Sequence, residues 1–182
     1  MNPNPSIQFH PDEERVSEEE LLQFETELGY TLPRDYFEFL LEYNGGAFAA
    51  TDPGVTESAG LYFEVQDFDG QDEYRCDVAY FIGLFENPAR YGLRQQHETT
   101  RDAWGIPASI LPFAGSAGPP KIFICLDGEL KGKVVINGTA YEEKRDAGEA
   151  ITPGDFFVVA DSFSAFVAGL FWSEEGSPHA NP

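Results

Sequence analysis

The feature that most constrains this chain is a change of hydrophobic period along it. Both ends carry apolar residues at helical spacing, and the middle carries short aromatic and β-branched runs. Near the N-terminus, Ser17-Glu18-Glu19-Glu20 reads as a capping box, with Ser17 at the N-cap and Glu20 at the third helical position. Leu21, Phe24 and Leu28 follow on one face, and Gly29 is a natural stop. Pro33 suits the first turn of a second helix with the stripe Tyr36, Phe37, Leu40 and Leu41. Asn44-Gly45-Gly46 ends it, because positive φ is cheap there.

The period then shortens. Leu61 to Val65 and Val78 to Ile82 read as strands, joined by an acidic loop from Asp67 to Asp77. A short amphipathic helix is expected between Tyr91 and Trp104, stopped by Gly105-Ile106-Pro107. Ile122 to Leu126 and Lys133 to Ile136 read as an antiparallel pair across a turn at Asp127-Gly128. Asn137-Gly138 carries a type I′ hairpin signal, with Thr139 to Glu142 as the returning segment. Phe156 to Val159 is a further strand. Asp161 or Ser162 then caps a last helix with the stripe Phe163, Phe166, Val167, Leu170 and Phe171. The expected fold class is α+β, a largely antiparallel sheet flanked by helices. No internal repeat and no second core is evident.

With 182 residues, the chain fits one domain. It is 42% apolar and 14% aromatic, rich enough to build a core. The Pro-rich ends read as flexible tails, residues 1–11 and 174–182, around a domain spanning 12–173. The first ten residues lack the basic and apolar regions of a secretory signal, and no apolar run is long enough to span a membrane. Cys76 and Cys125 show no metal-binding or redox spacing. They read as two reduced, buried thiols suited to a cytoplasmic protein, with a disulfide left open.

Charge narrows the partners. Against 32 Asp and Glu stand 11 Lys and Arg, a formal net charge of −21. Such a field repels nucleic acid and anionic membranes and steers basic partners inward.

Catalytic patterns fail in turn. Of the three histidines, His10 and His179 fall in the expected tails. His97 reads as a surface residue of a polar helix. No serine sits in a GxSxG elbow. Glu64, within an apolar strand, is the acid whose context comes nearest to a raised pKa, but alternation makes it solvent-facing. Asp67 to Asp72 resembles a calcium loop, but Gly70 falls at its fourth position and Val78 at its twelfth. An EF-hand needs Gly at six and Glu at twelve. Gly115 to Pro120 lacks a phosphate-loop lysine and spacing. No catalytic residue, metal site or cofactor is expected.

The acids fall into two clusters. Residues 12–27 hold eight acids and one arginine, which a helix start largely accounts for. Residues 64–77 hold six acids and one arginine, with Tyr62, Phe63, Phe68 and Tyr74 interleaved. Rings supply desolvated anchors and carboxylates supply steering, a face suited to a basic protein. The candidate contact residues are Asp67, Asp69, Asp72, Glu73 and Asp77, followed by Glu142 and Glu143.

Several segments resemble one family. Gly29-Tyr30-Thr31-Leu32-Pro33 through Tyr36, Phe39 and Leu40 to Asn44-Gly45-Gly46 is similar to the N-terminal signature of the SUKH superfamily, named for its Smi and Knr founders. Tyr80 to Leu84, Trp104 to Ala114 and Val159 to Phe166 resemble its later segments in the same order, about residues 15 to 172 in all. Gly115 to Pro120 departs from the family pattern, being Pro-rich with Lys121 leading the next strand. The resemblance implies an α+β fold without catalytic residues. It also implies an immunity protein that binds and neutralises a cognate polymorphic toxin, often a nuclease; with the net charge of −21, a basic toxin is expected. The alternative it leaves open is a regulatory or scaffold module of the Smi/Knr type.

Overall fold

The computed structural model describes residues 4–174 except 57–58, 69–70, 86, 91 and 117–120. Among the described residues, three antiparallel sheets and five α-helices make an α+β fold. Helix α1 (Glu18–Leu28) starts on the expected capping box. The Ser17 hydroxyl accepts from the Glu20 N–H at 3.2 Å, and the Glu20 carboxylate accepts from the Ser17 N–H at 2.6 Å. Gly29 ends α1 at φ 75°. Helix α2 (Arg34–Tyr43) ends on Asn44, at φ 49°.

The central sheet has five strands in the order β5-β6-β7-β8-β9. They are β5 (Tyr80–Phe81), β6 (Ile110–Gly115), β7 (Ile122–Cys125), β8 (Val134–Asn137) and β9 (Phe156–Ala160). The middle strands are buried on both faces, so they read as unbroken apolar runs. Leu111, Phe113, Ile122, Ile124, Val134 and Ile136 face the main core. There they meet α1, α2 and α5 (Phe163–Ala168) through Leu21, Phe24, Tyr36, Leu40, Phe163 and Phe166. Phe113 is the hub, with ring centroids at 5.6 Å from Tyr36 and 5.5 Å from both Phe163 and Phe166. Burying each such side chain stabilises the fold by roughly 1.5–3 kcal/mol.

The other face holds a second, smaller cluster, which the sequence did not reveal. Ile110, Phe123, Cys125 and Val135 pack there with Ile106, Tyr141 and Phe156. It is covered by the turn after α3 (Leu93–Trp104) and by α4 (Thr139–Ala147).

Four expectations change. Residues 4–11 are not a flexible tail: β1 (Ile7–His10) pairs with β2 (Ala47–Ala50), and Ile7 and Phe9 are buried in the main core. Asn4 is buried too, donating to Val167 O at 2.9 Å and Leu170 O at 2.7 Å. It thereby ties the N-terminal segment to carbonyls at and just beyond the end of α5.

The last helix is shorter than its apolar stripe. It stops at Ala168, and Phe171 instead starts β10 (Phe171–Ser173). Those residues pair with β3 (Gly60–Phe68), and ladder bonds to a neighbouring strand replace another helical turn. Asn137-Gly138 is not a hairpin turn. Gly138 is extended at φ −128°, and α4 begins directly after it. The Asn137 side chain is engaged elsewhere, accepting from the Lys121 N–H at 2.9 Å and donating to Glu142 at 3.0 Å.

Finally, the segment before Asp77 is not a loop. It is β4 (Gln71–Asp77), an antiparallel partner of β3 in a second sheet ordered β10-β3-β4. The C-terminal residues 175–182 lie outside the described residues.

Candidate protein-binding surface

The structure places most of the expected contact residues on one hairpin. Asp67 is the penultimate residue of β3, and Asp72, Glu73 and Asp77 belong to β4. Asp69 lies outside the described residues. In the register, Glu73 stands opposite Gln66 and Asp77 opposite Tyr62. Between them Glu64 faces Arg75, an exposed ion pair with Nε to Oε1 at 3.5 Å. The solvent-facing expectation for Glu64 therefore holds. The Arg75 guanidinium also stacks on the Phe171 ring at 5.7 Å, tying β4 across β3 to β10.

The hairpin geometry gives the acids a structural role that a loop would not. β4 is the outermost strand of its sheet, and β3 is its partner there among the described residues. An outer strand offers unpaired backbone donors and acceptors, and charges along it discourage indiscriminate pairing.

Glu142 and Glu143 sit elsewhere, on α4 against the five-stranded sheet. Glu142 is half-buried, accepts from Asn137 Nδ2 and pairs with Arg145. Glu143 is exposed. The fold therefore splits the expected contact set between two sheets.

The N-terminal acids are largely committed to structure. Asp12 takes both Arg90 terminal nitrogens at 2.6 Å, and this holds its carboxyl below the usual range. Glu20 closes the capping box, and its carboxyl is lowered by the bonds from Ser17. Glu25 accepts from the Leu32 N–H at 2.6 Å. Glu27 pairs with Arg94 at 2.8 Å, which lowers its carboxyl as well.

His97 is buried rather than on the surface. Its Nε2 lies 2.9 Å from Ala108 O, and burial lowers its pKa. It tethers α3 to the segment entering β6. Among the described residues no three His, Cys, Asp or Glu side chains gather as a metal site, and no helix is long and apolar enough to cross a membrane. Cys76 and Cys125 are free and buried. A cleft beside Glu142 escapes sequence reading, because α3, β7, β8 and α4 each contribute to it and no single segment signals it.

Two likenesses accompany this geometry. The family model described as SMI1 / KNR4 family (SUKH-1) matches residues 15–169. The SPbeta prophage-derived uncharacterized protein YokK of Bacillus subtilis (strain 168) is 27% identical over 170 residues, covering 84% of this chain and 73% of that protein. The family match takes in both helices of the N-terminal signature, the central sheet and all of α5. This chain belongs to the SMI1/KNR4 (SUKH-1) family.

Proposed function

We propose that this chain is an immunity protein that binds a cognate basic toxin and neutralises it by covering its working surface, without chemistry of its own. The observation that carries the reading is the acidic outer strand β4, in a chain of net charge −21. Toxins that hold phosphates are basic at their sites, so an acidic inhibitor uses the same field that would draw their substrate. Family membership supports a binding role, and a prophage-derived relative is consistent with a gene carried for conflict between cells. Buried free thiols fit a reducing cytoplasm.

The test is co-expression with the candidate toxin encoded beside this gene. Growth should be restored by the native chain. Replacing Asp67, Asp69, Asp72, Glu73 and Asp77 by their amides should slow association and flatten its dependence on salt. Unchanged association rates would remove the hairpin from the interface. No rescue with any adjacent gene product would favour a regulatory scaffold module instead.

A further inference from the structure

A cleft beside Glu142 lies away from the acidic hairpin. Helix α3 ends at Trp104, and α4 follows β8 after Gly138. Between them, against the second core cluster, lies a cavity of about 290 Å³. Trp104, Ile106, Phe123 and Tyr141 line it with apolar and aromatic surface. Lys121 and Arg145 line it with positive charge. The Lys121 ammonium sits 5.0 Å from the Trp104 ring centre, and the Arg145 guanidinium 5.7 Å from that of Tyr141.

Two groups here are left unsatisfied. Arg145 is matched by Glu142 and Asp146, but among the described residues no carboxylate pairs with Lys121. The Tyr141 side chain is 2% exposed, and its hydroxyl has no hydrogen-bond partner among the described residues. Burial raises its pKa, so the group stays protonated and remains a donor in want of an acceptor.

Rings select a flat group, and an unmatched ammonium selects an anion. A volume near 290 Å³ lies at the small end of ligand sites, enough for one substituted ring and tight for a nucleotide. We propose that this cleft binds an aromatic carboxylate, with its ring among Trp104, Phe123 and Tyr141 and its carboxylate at Lys121. The group can arrive as a free aromatic acid or as the C-terminal aromatic residue of another chain. The acidic hairpin takes no part in it, and of the candidate toxin contacts only Glu142 borders the cleft.

Phenylacetate titrated into the full chain at about 0.15 M salt tests it by NMR. The Trp104 indole N–H should shift with millimolar affinity. That of Trp172, which donates to Ser6 O, is the internal reference and should stay still. Phenylacetamide, the neutral isostere, should bind several-fold more weakly. Lys121→Met, which keeps the stem over Trp104, should weaken phenylacetate about tenfold and erase the preference for acid over amide. A short peptide ending in Phe with a free carboxylate, compared with its C-terminal amide, distinguishes the sources. Tighter binding than phenylacetate assigns the cleft to a chain end, and weaker binding assigns it to a free acid. No shift of Trp104 at about 10 mM phenylacetate, equal binding of acid and amide by the native chain, or unchanged binding by a folded Lys121→Met protein would each overturn the proposal.

Discussion

Asn44 and Leu84 are bonded to each other twice. The Leu84 N–H donates to Asn44 Oδ1 at 2.7 Å, and Asn44 Nδ2 donates to Leu84 O at 3.0 Å. The same amide nitrogen reaches Glu14 O at 2.7 Å. One buried side chain, at the end of α2, thus joins the segment before α1 to the segment after β5. It also holds the left-handed φ of 49° that few residues other than glycine and asparagine accept.

Replacing Asn44 by glycine keeps that backbone conformation available and removes only the bonds. The Leu84 N–H and C=O then lose their partner in a buried place, at about 1–3 kcal/mol for each orphaned group. Urea unfolding of Asn44→Gly should show a loss of about 3 kcal/mol. A loss below about 1 kcal/mol would mean that water reaches Leu84.

Gly29 and Gly46 form a matched pair for a second measurement. Both have positive φ, 75° and 62°. A Cβ on Gly29 would meet nothing within 4 Å, whereas one on Gly46 would lie 2.1 Å from His10 O. Gly29→Ala should therefore cost only the left-handed penalty, about 1–2 kcal/mol. Gly46→Ala must also push β1 away from the corner and should cost at least about 3 kcal/mol, with overpacking added to the same penalty. Thermal unfolding of the two variants side by side decides it.

The two thiols give a prediction in alkaline solution. Burial pushes Cys76 up to about 12 and Cys125 up to about 11. Both stay protonated in the fold, while the unfolded chain ionises them near their ordinary range, about 8.5. Above that range the unfolded state holds fewer protons, so stability falls as pH rises. A Cys76→Ala/Cys125→Ala double variant should lose this part of the slope between about pH 8.5 and 11. A thiol reagent at neutral pH should label the native chain slowly and both cysteines rapidly in denaturant.

Asp12 sets the acid limb. Its hydrogen bonds with Arg90 depress its folded pKa below the unfolded value. The resulting stability is present above the unfolded pKa and is lost as pH falls through the folded one. Because the Arg90 side chain is 34% exposed, the pair is worth under about 1 kcal/mol. Asp12→Asn should be less stable than the native chain at pH 7 by that amount, and the gap should close below about pH 4. A gap that persisted into acid would assign the loss to packing.

Local chemistry alone determined much of this protein. Ser17 and Glu20 specify where α1 starts, Gly29 where it stops, and Asn44-Gly45-Gly46 the corner that follows, because caps and left-handed turns depend on neighbours in sequence. The apolar runs of β7 and β8 marked the centre of a sheet. Tertiary structure decided the rest. Gly138 starts a helix because the Asn137 side chain is drawn to Lys121 and Glu142, overriding a local turn preference. Phe171 leaves the helical stripe because β3 offers it a ladder. Ile7 and Phe9 enter the core because β2, about 40 residues later, supplies an edge. Asp72, Glu73 and Asp77 came to lie on an outer strand by the same means, and the cleft between Trp104 and Tyr141 exists only once α3 and α4 are packed on one face. Each of these depends on a contact between segments distant in the chain, and periodicity within a single segment carries no record of such a contact.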